Sequence, residues 1–331
     1  MNISIIGTGS WGTANAALLA TRGHAVTVWG RNAAHVEEIA RTRVNARYLP
    51  GAELPASIVW TADYAKAAAD ADLVVLGTPS RHLEEVCRAF RPYVPKSATV
   101  VSLTKGFCPK THRRMTEIAA EALGTEKVVA LSGPSHAEEV VKGMPTAVTA
   151  ASVDPFCARL VQTVWSGPGF RVYTSPDVIG VETGGAVKNV LALAVGASDG
   201  LGLGDNTRAA LITRGLAEIT RFACASGADP ETLAGLSGAG DLIVTCTSRH
   251  SRNHAVGERL GRGETLAAIT SSMNMVAEGV GNAQVVHEMA QEMGVEMPIA
   301  DCVWRVCYDG YPVRAAISDL MNRPMKGEGW A

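Results

Sequence analysis

The stretch ISIIGTGSWGTANAALLATRG, Ile3–Gly23, decides how the first half of this chain folds. ISII reads as a buried strand, a glycine-rich turn follows at once, and the alanine- and leucine-rich run after it reads as a helix. Inside it GTGSWG, Gly7–Gly12, matches G-x-G-x-x-G. When such a turn holds a dinucleotide, Gly7 permits the tight turn, Gly9 lets the backbone approach pyrophosphate, and Gly12 lets helix pack on strand. The helix start adds free N–H groups and the positive end of its dipole, both favourable to phosphate. A tight turn with no ligand would satisfy the same pattern. Its position between a strand and a helix is what gives it weight.

Working outward, similar runs recur: AVTVWG, DLVVLG, ATVVSL, KVVALS and TAVTA. Each is followed by a punctuating residue and a segment rich in Ala, Glu and Arg. Continuous apolar runs of this kind fit parallel strands covered on both faces, and the βαβ series predicts a doubly wound sheet. Beyond residue 180 the texture changes to long helical patterns such as NTRAALITRGLAEITRFACASG and VGNAQVVHEMAQEMG. A chain of 331 residues is long enough for two domains. The expectation is a Rossmann-type α/β domain over 1–180 and an all-α domain over 181–331, with a ligand cleft between them.

Composition narrows the function classes. The chain is 47% hydrophobic and 19% charged, with 30 basic against 32 acidic residues and a net charge of -2. That balance argues against a general nucleic-acid surface or an anionic-membrane binder, and leaves room for a local basic pocket. The opening MNISIIG has no basic region before its apolar run, and VLALAVGA is shorter than the roughly 18 residues of a membrane span. The seven cysteines are scattered and form no C-x-x-C pair, so reduced thiols in a cytoplasmic protein, with no metal site, are expected.

The second strand ends in VWGRN. An NAD-specific site would usually place an acid about there for the ribose hydroxyls, yet none occurs from Thr13 to Val36, and Arg31 occupies the region. A guanidinium there favours a 2′-phosphate, hence NADP or dual use; a solvated surface arginine is the bland alternative. Three later strands end in Gly77-Thr78-Pro79-Ser80, Thr104-Lys105-Gly106 and Gly133-Pro134-Ser135, where an open sheet gathers ligands. Lys105 could meet an anion there or stand in water.

In the helical half, Lys188 is the one charge between Glu182 and Asp199. On a helix its face-mates are Gly184, Gly185, Leu191 and Ala192, none able to pair an ammonium. Asp241, among small residues and ahead of Leu242, Ile243 and Val244, is either an N-cap or the partner of a buried cation. Ser251-Arg252-Asn253 precedes a helical run, where hydroxyl, guanidinium and amide make a plausible phosphate cradle, or a cap beside a solvated arginine.

Together these stretches resemble the bacterial-type NAD(P)-dependent glycerol-3-phosphate dehydrogenases. The likeness rests on GTGSWGTA, SLTKGF, LSGPSHAEEV, GVETGGAVKNVLALAVG, DNTRAALITRGLAEITR, GAGDLIVTCTSRHSRN and VAEGV, in the family's order over nearly the whole chain. The GGAVKN and GAGDL…SRN blocks are far more specific than the glycine fingerprint. The resemblance implies reversible reduction of dihydroxyacetone phosphate to sn-glycerol 3-phosphate, for glycerophospholipid synthesis, by a homodimer. It assigns the general acid/base to Lys188 and maps the family's catalytic aspartate and second lysine to Asp241 and Lys105. Substrate contacts fall on Gly133, Ser135, Ser251, Arg252 and Asn253; cofactor contacts on Ser10, Trp11, Arg31, Lys105, Ala137, Arg252, Val276 and Glu278. His136 and His254 depart from the family's usual Phe and basic residue, at the pocket's edges.

The chemistry closes on the residues. Hydride delivered to a ketone carbon leaves charge on the oxygen, so a positioned acid must supply a proton. A lysine ammonium can do so; burial lowers a lysine's pKa and a nearby carboxylate raises it. Gly184 and Gly185 are expected to leave room for a three-carbon substrate. Two alternatives stay open: a related hydroxyacid or sugar-acid dehydrogenase, and a nicotinamide-sensing protein with a decayed catalytic set.

Overall fold

The computed structural model describes residues 1–273, 277–325 and 327–328. The chain divides into two compact units, Met1–Lys105 with Arg113–Val178, and Gly106–His112 with Ile179–Ala331.

The first unit holds ten strands: β1 (Asn2–Ile6), β2 (Ala25–Trp29), β3 (Val44–Asn45), β4 (Leu49–Glu53), β5 (Val59–Thr61), β6 (Leu73–Leu76), β7 (Thr99–Ser102), β8 (Val128–Ser132), β9 (Thr146–Ala151) and β10 (Phe170–Ser175). Eight form one sheet in the order β10-β9-β8-β7-β6-β1-β2-β5. From β8 to β5 every neighbour is parallel, as the continuous apolar runs predict. The TAVTA strand differs. β9 pairs antiparallel with β8, and β10 runs parallel to β9, so the sheet is parallel-dominated with a reversed edge. An apolar run reports burial on both faces and carries no direction, and mixed sheets commonly place their reversed strands at an edge. Strand order turns back between β1 and β6, which makes that crevice the switch point where an open α/β sheet takes its ligand. One face of the sheet packs Ile5, Val75, Val101 and Val129 into the core.

A small hairpin, β3–β4, pairs antiparallel beside this sheet. Its buried Asn45 donates from Nδ2 to the Thr8 carbonyl and to Thr13 Oγ1, both at 2.8 Å, bracing the glycine loop from outside the sheet.

The second unit is helical. Its central helix, Val178–Gly200, contains an 18-residue window of mean hydropathy 1.4, long and apolar enough by length and composition to cross a membrane. The apolar run thus extends further than VLALAVGA suggests. That window is 89% buried, and Ala186, Val190, Leu191 and Val195 of this helix belong to the unit's hydrophobic core. The helix Arg252–Gly261 lies against it at very short range. A methyl group on Gly196 would stand 2.1 Å from the His254 carbonyl oxygen, and one on Gly257 would stand 2.1 Å from the Leu193 carbonyl oxygen. Only hydrogen fits on either side, so two backbones meet where side chains normally separate them. The Gly106–His112 segment packs in this unit too: Phe107 lies against Phe222 with ring centroids 6.2 Å apart, and His112 Nε2 meets Glu288 Oε2 at 3.0 Å.

Candidate active site

In the first unit the glycine loop has the shape of a phosphate cradle. Gly7 has φ +127°, and a methyl there would stand 2.7 Å from the Gly77 carbonyl oxygen; on Gly12 it would stand 2.5 Å from the Gly7 oxygen. At Gly9 the nearest atom would be 3.9 Å away, so the middle of the loop is open above its backbone. The helix Ser10–Thr21 starts there with no side-chain cap, leaving its first N–H groups to a ligand. Trp11 Nε1 is a buried donor without a partner among the described residues. A tight turn alone would not leave both an uncapped helix start and an orphaned donor. The residues fit a dinucleotide. Arg31 stands exposed two residues past β2, next to Asn32, whose side chain caps the helix Ala33–Thr42.

At the ends of β7 and β8 the three expected rim residues come together. Lys105 Nζ donates to the Gly133 carbonyl at 3.2 Å, and Ser135 Oγ donates to the same oxygen at 2.9 Å. Gly133 needs to be glycine: its φ is +144°, and a methyl would stand 2.9 Å from Val148 Cα. Thr104 Oγ1 donates to the Thr78 carbonyl at 2.8 Å and fixes the turn that precedes Lys105. Ala137 is buried at the start of the short helix Ala137–Val140.

In the second unit the solitary lysine has its partner. Lys188 and Asp241 are 5% and 1% exposed, and Lys188 Nζ donates to Asp241 Oδ1 at 2.5 Å. It also donates to Thr245 Oγ1 at 2.7 Å, while Thr245 donates to the Asp241 carbonyl at 2.6 Å. Two of the ammonium's donors are thus aimed from one helix at a second, and its charge is neutralised inside the unit. Asp241 is the cation's partner from the first turn of the helix Asp241–Thr247, with no need to be that helix's cap. A π-helical turn, Leu236–Gly240, leads directly into it. Such turns add a residue to the helical register and commonly occur at functional sites.

Gly184 does something other than make room for substrate. A methyl there would stand 2.6 Å from the Ser237 carbonyl oxygen, so this glycine lets the π-turn lie on the Lys188 helix and brings Asp241 within reach. The space is taken by backbone.

Ser251, Arg252 and Asn253 divide their work. Ser251 Oγ accepts from His254 N at 3.2 Å and caps the helix; Arg252 is exposed in its first turn. Asn253 is buried, donating to Asn189 Oδ1 at 2.8 Å and accepting from Gly279 N at 2.9 Å. It therefore ties the residue after Lys188 to the helix Glu278–Met293, whose first residue is Glu278. Val276 lies outside the described residues. Thr245 and Asn189 are the site residues that sequence reading missed. Thr245 is four residues beyond Asp241, on the same helical face, and Asn189 adjoins Lys188; both spacings were there to be read. Among the described residues no group of three His, Cys, Asp or Glu side chains is placed to hold a metal ion.

Comparison with known proteins agrees with this geometry. Residues 2–158 match the N-terminal description of NAD-dependent glycerol-3-phosphate dehydrogenase, and residues 177–318 match its C-terminal description. The glycerol-3-phosphate dehydrogenase [NAD(P)+] of Geobacillus thermodenitrificans is 49% identical over 330 residues, 99% of this chain and 96% of that protein. The protein of the same name from Geobacter sulfurreducens is 49% identical over 331 residues, 99% of each. The crystal structure of glycerol-3-phosphate dehydrogenase from Coxiella burnetii superposes with a TM-score of 0.94 at 38% identity, covering 97% of this chain and 99% of that one. With both halves matched and the lysine, aspartate and glycine loop in place, the chain belongs to the NAD-dependent glycerol-3-phosphate dehydrogenase family.

Proposed function

We propose that this protein interconverts dihydroxyacetone phosphate and sn-glycerol 3-phosphate with NADPH or NADH, and that Lys188 carries the proton. One observation carries the reading: a buried lysine, the one charge between Glu182 and Asp199 on its helix, held by Asp241 at 2.5 Å and Thr245 at 2.7 Å. The bound nicotinamide supplies the hydride. Lys188, as ammonium, gives a proton to the ketone oxygen as charge develops there; as amine it takes the proton back in the oxidative direction. Asp241 and Thr245 hold the amine in one orientation, so little reorganisation accompanies the transfer.

Gly7, Gly9, Ser10, Trp11 and Gly12 hold the dinucleotide's phosphates, and Arg31 reads the 2′-phosphate, which favours NADP while the names of the relatives support both nucleotides. Ala137, Lys105, Arg252, Val276 and Glu278 complete the cofactor contacts. Lys105, Gly133, Ser135, Ser251, Arg252 and Asn253 hold the phosphorylated substrate, Asn253 chiefly by fixing its neighbours. The nucleotide domain, expected as 1–180, cedes Gly106–His112 to the catalytic domain, expected as 181–331, and the working form is a cytoplasmic homodimer. The test is absorbance of each reduced nicotinamide with dihydroxyacetone phosphate, and with simple 2-keto acids as the hydroxyacid comparison. Lys188→Ala should abolish turnover and leave nucleotide binding intact. Nucleotide binding without any oxidation of NADPH or NADH by the parent protein would overturn the reading.

A further inference from the structure

Thr8, between Gly7 and Gly9, belongs to neither of the elements it joins. Behind it Gly7 N still donates to the Trp29 carbonyl at 2.9 Å, and ahead of it the helix opens with Thr13 N donating to the Gly9 carbonyl at 2.9 Å. The Thr8 carbonyl is taken by side chains. Asn45 Nδ2, from the hairpin β3–β4, donates to it at 2.8 Å, and Thr13 Oγ1 donates to it at 3.4 Å. Asn45 gives its second amide hydrogen to Thr13 Oγ1 at 2.8 Å, and its Oδ1 accepts from Tyr48 N at 3.2 Å. A carbonyl on one side and an N–H on the other leave the amide only this orientation. Asn45 and Thr13 are both fully buried, so a partner lost here is not replaced by bulk water.

These bonds decide where a backbone hydrogen points. In a trans peptide the carbonyl and the N–H that follows it lie in one plane and point in opposite directions. Holding the Thr8 carbonyl toward the hairpin therefore turns the Gly9 N–H away from it. The peptide between Thr8 and Gly9 would otherwise turn over readily, since glycine accepts positive as well as negative φ. Here Gly9 is kept at φ -66°. Above Gly9 a methyl would meet nothing closer than 3.9 Å, and this is the glycine at which such a loop admits pyrophosphate. A donor already aimed before the anion arrives needs no ordering on binding.

We infer that Asn45 is a positioning residue for the nucleotide site: from behind the loop it fixes the peptide between Thr8 and Gly9 so that the Gly9 N–H faces the side from which a pyrophosphate approaches. Thr13 shares the task. The inference rests on the reading of Gly7–Gly12 as the phosphate loop. Asn45 stands 37 residues beyond Thr8, so the pattern G-x-G-x-x-G does not include it. Lys188 and its partners are untouched by this bracing, so its effect belongs in nucleotide affinity and not in the proton transfer.

The experiment measures Kd for NADPH, from its fluorescence on binding, in the parent, Asn45→Leu, Thr13→Val, Thr13→Ser and Gly9→Ala. It also measures kcat with dihydroxyacetone phosphate at saturating NADPH. Leucine has nearly the shape of asparagine without its hydrogen bonds. Asn45→Leu should raise Kd by about tenfold to a hundredfold, the weight of one hydrogen bond to a charged group, with kcat at saturation held within about twofold. Thr13→Val should raise Kd by about threefold, whereas Thr13→Ser, which keeps the hydroxyl, should bind as the parent does. An unchanged Kd in Asn45→Leu overturns the inference, as does a kcat that falls in step with affinity, the mark of general disruption. Should Asn45→Leu fail to fold, the Thr13 pair decides, and equal affinities in the Val and Ser variants overturn it. Gly9→Ala separates the two claims, because the free protein has room for that methyl and only a bound pyrophosphate would meet it. An unchanged Kd there defeats the loop reading and the inference with it. A raised Kd there with parent-like binding in Asn45→Leu defeats only the role of Asn45.

Discussion

Replacing Asp241 by Asn should leave Lys188 buried beside an amide of the same shape but without the opposing charge. Removing one partner of a buried ion pair costs about 3–5 kcal/mol. The lysine can shed its proton to limit that loss. From an ordinary lysine pKa of about 10.4, at about 1.36 kcal/mol per pH unit, the limit is about 4.6 kcal/mol at pH 7 and about 1.9 kcal/mol at pH 9. In the variant the folded chain then binds fewer protons than the unfolded one over this range, so its stability rises with pH relative to the parent. Asp241→Asn is thus expected to lose about 3–4 kcal/mol at pH 7 and less than about 2 kcal/mol at pH 9, read by urea unfolding of both proteins at each pH. Folding survives in part, since domains carry about 5–15 kcal/mol. Turnover should fall by at least about 100-fold, the scale of general acid catalysis. A deficit that is equal at both pH values, or turnover within threefold of the parent, would refute the claim that this carboxylate neutralises and orients the catalytic amine.

Three further outcomes are expected. Arg31→Ala should raise KM for NADPH by about tenfold or more and leave NADH nearly unchanged; equal losses with both would remove Arg31 from 2′-phosphate recognition. Glu218 is 2% exposed and accepts from Ile299 N at 2.8 Å and Ala300 N at 3.2 Å, yet burial outweighs these bonds and pushes its carboxyl up to about 7. Its folded value lies above the ordinary 4.5, so its stabilising contribution is complete below pH 4.5 and lost as pH rises to about 7. Glu218→Gln should gain roughly 3 kcal/mol on the parent between pH 5 and pH 8, seen as diverging Tm values; parallel shifts would contradict it. Gly257→Ala should lower Tm despite alanine's better helix propensity, because overpacking costs about 1–3 kcal/mol against about 1 kcal/mol gained, and an unchanged Tm would mean the helices can part freely.

Much of the fold was legible because six strands are continuous apolar runs. What escaped has physical causes. β5 is three residues long, and β10, FRVYTS, alternates buried with exposed residues because it is an edge strand, so neither carries the signal of a covered parallel strand. The direction of β9 is set by what it pairs with, which lies outside the run itself. Within the site, Lys188 and Asp241 announced themselves as charges in apolar surroundings. Thr245 did not, because a threonine inside a helix ordinarily bonds the carbonyl four residues back, and this one does so while also accepting from Lys188. Gly184 was misread for a related reason: an absent side chain shows that space is needed, and the occupant is known only when the π-turn is in place.

The glycines also explain why an ion pair can be placed in the middle of this core. A buried pair gives net benefit only when its geometry is well fixed and its remaining polar groups are satisfied. Here Gly184 seats the Ser237 carbonyl, Gly196 seats the His254 carbonyl, and Gly279 seats the Asn189 carbonyl, each against backbone where any side chain would intrude. Three segments are thereby held close to the helix of Lys188: the one that delivers Asp241, the one that delivers Arg252 and Asn253, and the one that begins at Glu278. Helices held apart by leucines could slide by fractions of an ångström with little penalty. Backbones in direct contact cannot approach further, and Asn253, bonded to both Asn189 and Gly279, resists their separation. The position of the Lys188 amine is therefore a consequence of missing side chains at least as much as of the groups that touch it.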